Sequence, residues 1–342
     1  MLHGNIVFIN TTIYALSFLM LLTINYFHPT SIIQHWIIAG FLLLILPGTL
    51  YAGDTAGHPE NKPGPIVVTI KPLYSLVAHL TEGVTTPSLL MKQTQSPHHY
   101  NMRPSERYLL SKASMIVWLG PQMESYLSKI IQQQNAATVV TALNAGELKI
   151  LSRRRQHSHE EHDSPSRTIT DPHMIDPHVW LSTQNAKAIS RQITVALIAD
   201  DPANAEKYKS NLRLLLSKID QTETFIKNTL ADNKQAFIAF HDAFQYFEEE
   251  NGLNYIDSVN YDDETGTSLK QIRQIKASIE KNNIQCLVYQ DPRPDIINSL
   301  TRQTSVKATA LDPLGTNVTD DGNAWFEIMR QLAVNFKRCL GS

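Results

Sequence analysis

Residues 201–241 read DPANAEKYKSNLRLLLSKIDQTETFIKNTLADNKQAFIAFH. Asp201-Pro202 offers an N-cap and a first-turn proline. Tyr208, Leu212, Leu215, Ile219, Ile226 and Leu230 then recur at three- and four-residue spacing. The positions between them are mostly Lys, Asn, Gln, Glu and Ser, so one face packs while the rest is solvated. The pattern predicts a single helix over 202–231, about 45 Å long at 1.5 Å per residue. The run Ala236–Phe240 (AFIAF) follows as a strand and ends directly at His241 and Asp242.

On both sides of this helix the chain alternates short apolar runs with helical patterns. Upstream, Pro65–Ile70, Thr86–Met91, Met115–Leu119 and Thr138–Thr141 read as strands. Helical segments at Leu73–Leu80, Pro104–Ala113 and Met123–Gln132 separate them. Downstream, Ala236–Phe240, Tyr255–Val259, Ile284–Tyr289 and Val306–Leu311 repeat the same grammar, with helices near Ala243–Glu250, Ser268–Lys281 and Asp295–Thr301. The order implies an α/β fold of two lobes, each with a mostly parallel, helix-covered sheet. One long rigid helix joining them, in place of several extended crossovers, predicts limited closure on a ligand. The expected division is 53–201 for the first lobe, 202–231 for the joining helix and 232–342 for the second. Ser152–Thr170 fits neither pattern and reads as a charged loop with three histidines.

The first 53 residues contain no Lys, Arg, Asp or Glu. The apolar run Ile37–Leu46 and the step Tyr51-Ala52-Gly53 predict a signal peptide over 1–52, cut after Ala52. The basic n-region is missing and a second apolar run, Ile13–Leu22, lies upstream, which points to an N-terminal extension with a start at Met20 or later. No cysteine lies near the cut, so the expected product is exported without a lipid anchor and does not span a membrane; the plainer alternative is an uncleaved membrane anchor.

The 342 residues carry 30 Lys+Arg against 32 Asp+Glu, a formal net charge of −2, which offers no basic field for nucleic acid. Hydrophobic residues make up 42% and charged residues 18%, which excludes a disordered chain. Two cysteines, Cys286 and Cys339, are too few for a thiolate zinc site or an iron–sulfur cluster. In an oxidising compartment the pair reads either as a disulfide tying the C-terminal helix to its sheet or as two buried thiols.

The 13 histidines are more informative. His98 follows the second strand after a short turn, His178 stands in Asp176-Pro177-His178-Val179-Trp180-Leu181, and His241 ends a strand. Ligands of open parallel sheets bind outside the carboxyl ends of the strands. Asp291 and Asp312 also follow strands of the second lobe. A nitrogen-rich tetrahedral set suits Zn2+. Imidazole binds metal only when neutral, so affinity should fall below about pH 6.5. Taken singly, each residue has a plainer reading. Asp242 is expected to cap the helix after it, Asp176 either to cap or to fix an imidazole tautomer, and Asp291-Pro292 and Asp312-Pro313 to open turns.

Five stretches together resemble a known family. They are Ser96-Pro97-His98-His99-Tyr100-Asn101-Met102-Arg103-Pro104-Ser105, Val117-Trp118-Leu119-Gly120-Pro121-Gln122-Met123-Glu124, Asp176–Ser182, Phe240–Phe247 and Leu311–Asn317. In this order they are similar to the motifs of the cluster A-I substrate-binding proteins of metal ABC importers, and within them to the zinc-specific, ZnuA-like branch. The resemblance covers Pro65 to the C-terminus. It implies a monomeric periplasmic protein, not an enzyme, that takes up Zn2+ in the cleft between its lobes. Its partners would be a cognate ABC permease and its ATPase subunit at the inner membrane. Carried over by motif, the ligands are His98, His178 and His241. Manganese-binding relatives have a carboxylate in place of the third, so three histidines favour zinc. The acidic residue that some relatives place before the first histidine is Pro97 here. The fourth ligand is therefore Asp312 or water, with His99 and Asp291 behind them. The resemblance also implies a Cys286–Cys339 disulfide, and a secondary metal site at His157, His159 and His162 in the loop 152–170. His173 is assigned to the same loop.

Competing readings are a manganese- or iron-binding protein or a metal-binding adhesin of the same fold. A zinc hydrolase is a further one, since His157-Ser158-His159-Glu160-Glu161-His162 superficially resembles H-x-H-x-D-H. The hydrolase lacks support: no strand adjoins that run, and neither H-E-x-x-H nor G-x-S-x-G occurs.

Overall fold

Two four-stranded parallel sheets share one strand order. The computed structural model describes residues 64–92, 96–154, 175–260 and 267–341. The first sheet contains β1 (Ile66–Val68), β2 (Ser88–Leu89), β3 (Met115–Trp118) and β4 (Thr138–Thr141), in the order β2-β1-β3-β4. The second contains β5 (Ala236–His241), β6 (Asn254–Asn260), β7 (Cys286–Tyr289) and β8 (Lys307–Ala310), in the order β6-β5-β7-β8. All eight strands fall within or across the β-branched and apolar runs that predict them. In each sheet the order reverses beside the first strand, which opens a crevice at the strands' carboxyl ends.

The helices are α1 (Lys71–Leu80), α2 (Pro104–Ser111), α3 (Ser128–Gln132), α4 (Thr183–Asp200), α5 (Ala205–Leu230), α6 (Gln245–Asn251), α7 (Leu269–Lys281), α8 (Asp295–Gln303) and α9 (Ala324–Leu340). Among the described residues no helix is long and apolar enough to cross a membrane. The helical pattern over Met123–Gln132 resolves into a 3-10 turn, Ser125–Leu127, and the short α3. Glu124 explains the break. Its carboxylate turns back to accept from the Leu119 backbone N–H at 2.7 Å, inside the core.

The long helix is α5, preceded by a 3-10 turn at Pro202–Asn204. Asp201 stands at the N-cap position of that turn, with Pro202 in its first turn, while Asn204 holds the N-cap position of α5; the Asp201 carboxylate accepts from the Asn204 side chain at 2.7 Å and from the Tyr208 hydroxyl at 2.9 Å. The buried stripe is Tyr208, Asn211, Leu215, Ile219, Thr222, Ile226 and Leu230. Asn211 earns its interior place by donating to the Leu80 and Glu82 carbonyls, both at 2.9 Å, which closes the end of α1.

One hydrophobic cluster runs through both halves, from Val68, Leu73 and Leu76 through Leu215 and Ile226 to Phe237, Phe247 and Phe336. Helix α9 is its common wall, packing against α5, α1, β7 and β8. The outer faces of the two sheets carry their own clusters, around Val67, Leu110 and Ile116 and around Ile238, Ile275 and Leu287. Cys286 of β7 and Cys339 of α9 form a disulfide, with Cα atoms 5.3 Å apart.

Candidate metal centre

Three segments far apart in the chain bring His98, His178 and His241 together. One ring nitrogen from each lies within 4.8 Å of the other two, the only such group of three or more potential ligand residues among the described residues. The ring centroids stand 5.6 Å (98–178), 6.0 Å (98–241) and 5.4 Å (178–241) apart. They open into a cavity of about 160 Å³ whose other wall includes Gln290, Asp291 and Asp312.

Each histidine is held by local chemistry of its own. His98 sits in a serine turn: its backbone N–H donates to Ser96 Oγ at 3.2 Å, and His99 N–H to the Ser96 carbonyl at 3.2 Å. The turn is anchored by buried Tyr100, whose hydroxyl donates to Glu106 at 2.7 Å at the start of α2.

His178 precedes the 3-10 turn Val179–Leu181, which leads into α4. Asp176 Oδ1 lies 2.7 Å from His178 Nδ1 and accepts from the His178 backbone N–H at 3.0 Å. A carboxylate acceptor places the hydrogen on Nδ1 and leaves Nε2 for a metal. Of the two roles open to Asp176, the structure therefore shows the tautomer-fixing one. Burial pushes the Asp176 carboxyl up to about 7, against the opposing pull of the His178 N–H and the charges of His241, Arg153 and Arg154. The turn is wedged across the halves by Trp180, whose indole N–H donates to the Pro313 carbonyl at 2.8 Å. Trp325 donates in turn to the Trp180 carbonyl at 2.8 Å.

His241 closes β5. The parallel register pairs Phe237 with Cys286 and Ala239 with Val288, so His241 comes level with Gln290, just past β7. Its Nδ1 lies 3.5 Å from Gln290 Oε1. Asp242 does not cap the following helix. Its carboxylate pairs with Arg154 at 2.8 Å, and Arg154 reaches Glu248 at 2.6 Å. Burial raises both carboxyls and the guanidinium pulls them back, while the two carboxylates hold Arg154 firmly charged. Tyr246 completes the junction by accepting from the Leu151 N–H at 3.0 Å and donating to the Asp176 carbonyl at 2.8 Å.

Asp312 lines the cavity but stands outside the three-histidine group. Its carboxylate accepts from the backbone N–H groups of Leu314 and Asn317, both at 3.2 Å. His99 is exposed, and Asp291 lies on the cavity wall. His157, His159, His162 and His173 lie outside the described residues, as does the stretch 1–52. Sequence reasoning missed Gln290, Trp180 and Arg154. Gln290 was within reach, because a strand-end residue beside His241 follows from the parallel order. Arg154 carried no local signal.

The profile of the ZnuA family, described as zinc-uptake complex component A, periplasmic, matches residues 66–339. The high-affinity zinc uptake system protein ZnuA of Yersinia pestis is 30% identical over 299 residues, covering 83% of this chain and 93% of its own length. A crystal structure of ZnuA aligns with a TM-score of 0.68 at 19% identity, over 82% of this chain and all of that one. The substrate-binding protein FpvC of Pseudomonas aeruginosa, solved in complex with Mn2+, aligns equally well, with a TM-score of 0.68 at 17% identity, over 82% of this chain and 98% of its own. Strand order, the converging imidazoles and the profile match thus agree, and the chain belongs to the ZnuA family of zinc-uptake components.

Proposed function

We propose that this chain is the zinc-capturing component of an ABC importer and that His98, His178 and His241 hold the ion. The convergence of three imidazoles from separate segments into one 4.8 Å group carries the reading. Tetrahedral Zn2+ takes nitrogen ligands at about 2.0–2.1 Å, a distance that small movements of these rings reach. The fourth position is open to Asp312 or to water. Zinc is cargo, so the protein binds one equivalent, releases it to the permease and its ATPase partner, and turns nothing over.

The same reading makes 1–52 a signal peptide, the mature chain a periplasmic monomer, 53–201 and 232–342 its lobes, and 202–231 the helix between them. It makes His157, His159 and His162 a weaker secondary site. Elemental analysis of the exported protein as purified should return one tightly held zinc. Calorimetry on His241→Ala should show the tight site severely weakened in a protein that still folds. Unchanged affinity would remove His241 from the site. Asp312→Asn separates the two candidates for the fourth position: a large loss assigns it to Asp312, and near wild-type binding assigns it to water.

A further inference from the structure

Helix α1 opens on Lys71, a cation where the helix dipole disfavours one. Its partners lie outside the helix. The ammonium donates to the Gly315 and Val318 carbonyls at 2.6 Å each and pairs with Asp320 at 2.8 Å, while the lysine side chain is only 12% exposed. Three oxygens therefore meet one buried charge, and all three belong to the segment that follows β8.

That segment walls the three-histidine cavity through Asp312, Pro313, Leu314, Thr316 and Asn317. Its amides and its carbonyls serve different partners. The Leu314 and Asn317 N–H groups donate to the Asp312 carboxylate at 3.2 Å, one to each oxygen, while the Gly315 and Val318 carbonyls accept from Lys71. Val318 N–H also donates to the Gly315 carbonyl at 3.0 Å, which closes the turn that both sets share. Gly315 has a φ of 69°, in the left-handed region, and a Cβ there would stand 2.6 Å from Ile328 Cδ1. Two more side chains of the first half fasten the segment at its ends: Trp180 donates to the Pro313 carbonyl at 2.8 Å, and Ser75 to the Gly322 carbonyl at 2.6 Å. Asp312 is thus held on the cavity wall by the turn, and the turn by Lys71. Carboxylates that ligate metals are themselves hydrogen-bonded, and one N–H on each oxygen leaves each a lone pair for an ion.

We propose that Lys71 is a positioning residue for metal capture: its ammonium sets the Gly315–Val318 turn and, through that turn, presents Asp312 to the ion as the fourth ligand. The inference rests on the three-histidine reading, and the experiment tells the two apart. Zinc binding is measured by calorimetry on wild type, Lys71→Met, Asp312→Asn and the double variant, with metal-free melting curves as the check on folding. Co2+ is then bound to the same proteins, because its visible absorption follows the identity and number of its ligands.

Lys71→Met should weaken zinc binding by about tenfold or more, the scale on which the partners of ligands tune metal sites. In the Asp312→Asn background the same substitution should have no measurable effect, because the residue it acts through is gone. The Co2+ absorption of Lys71→Met should move to that of Asp312→Asn. Equal losses with and without Asp312 overturn the proposal, since a merely structural role produces them, and so does an unmoved absorption. Wild-type affinity in Lys71→Met or in Asp312→Asn also overturns it, while leaving the three histidines as the zinc site. A wild-type protein that binds no zinc defeats that reading, and the proposal with it. Should Lys71→Met fail to fold, Lys71→Gln decides. Glutamine keeps an N–H donor but loses the charge, so a loss that vanishes without Asp312 supports the proposal, and a loss that persists, or none, overturns it.

Discussion

Single side chains in this protein show how burial changes what a residue does. Glu124 is fully buried beneath the first sheet's strand ends and accepts from the Leu119 N–H. Burial pushes its carboxyl up to about 7 from an ordinary 4.5. The folded state thus holds the Glu124 proton more tightly than the unfolded chain does. The resulting stability is complete below about pH 4.5, declines as pH rises, and is gone above about pH 7. Glu124→Gln abolishes that dependence. In metal-free urea titrations at pH 5 and pH 8, the variant should gain on wild type by an amount on the order of 3 kcal/mol between the two pH values. Parallel pH profiles for the two proteins would show that Glu124 stays ionised in the fold.

At the scale of elements, the disulfide joins the last helix to the sheet of the second half. It closes a loop of 53 residues, so the chain-entropy model gives it about 4 kcal/mol. Cys286→Ser/Cys339→Ser should lose roughly that much in equilibrium unfolding under oxidising conditions, and reduced wild type should match it. A loss below about 1 kcal/mol would mean that the packing of Phe336 and Leu340 holds α9 without help.

Elements were also the most legible level of the sequence. β-Branched and apolar runs mark the buried strands β1, β3 and β7 most clearly, because a parallel strand covered on both faces has no polar side to disguise it, whereas the edge strands β6 and β8 mix in polar, exposed positions. The Tyr208–Leu230 stripe marks α5 for the same reason in helical period. Two of the misreadings come from a partner distant in sequence, and a third from a local turn-back. Asp242 looks like a helix cap until Arg154, 88 residues earlier, takes its carboxylate. Asn211 looks like a solvated position until α1 ends against it. Glu124 turns a continuous helical pattern into a bend by bonding Leu119. Of the three histidines only His241 ends a strand, where such folds bind ligands; His98 and His178 are singled out by the motif resemblance. Their supports, Trp180 to Pro313 and His241 level with Gln290, exist only once both halves are assembled.

For the described body as a whole, the shared cluster matters more than the two sheets. Residues of both halves pack into one interior around α5 and α9, and Trp180, Tyr246 and Arg154 cross between them by hydrogen bonds. Lys71 adds a further tie, donating to the Gly315 and Val318 carbonyls at 2.6 Å each and pairing with Asp320 at 2.8 Å. Separate lobes on a free hinge would melt separately. Here calorimetry of the metal-free protein should give a single transition. Zinc at about 100 times its dissociation constant should raise stability by about 2.7 kcal/mol and shift that same transition upward. Two resolved transitions would contradict the common interior.

Helix α9 walls the interior shared by both halves. Removing Ala324–Leu340 should therefore uncover Leu73 and Phe237 at once, so that damage to one helix opens two sheets and leaves the protein to proteases.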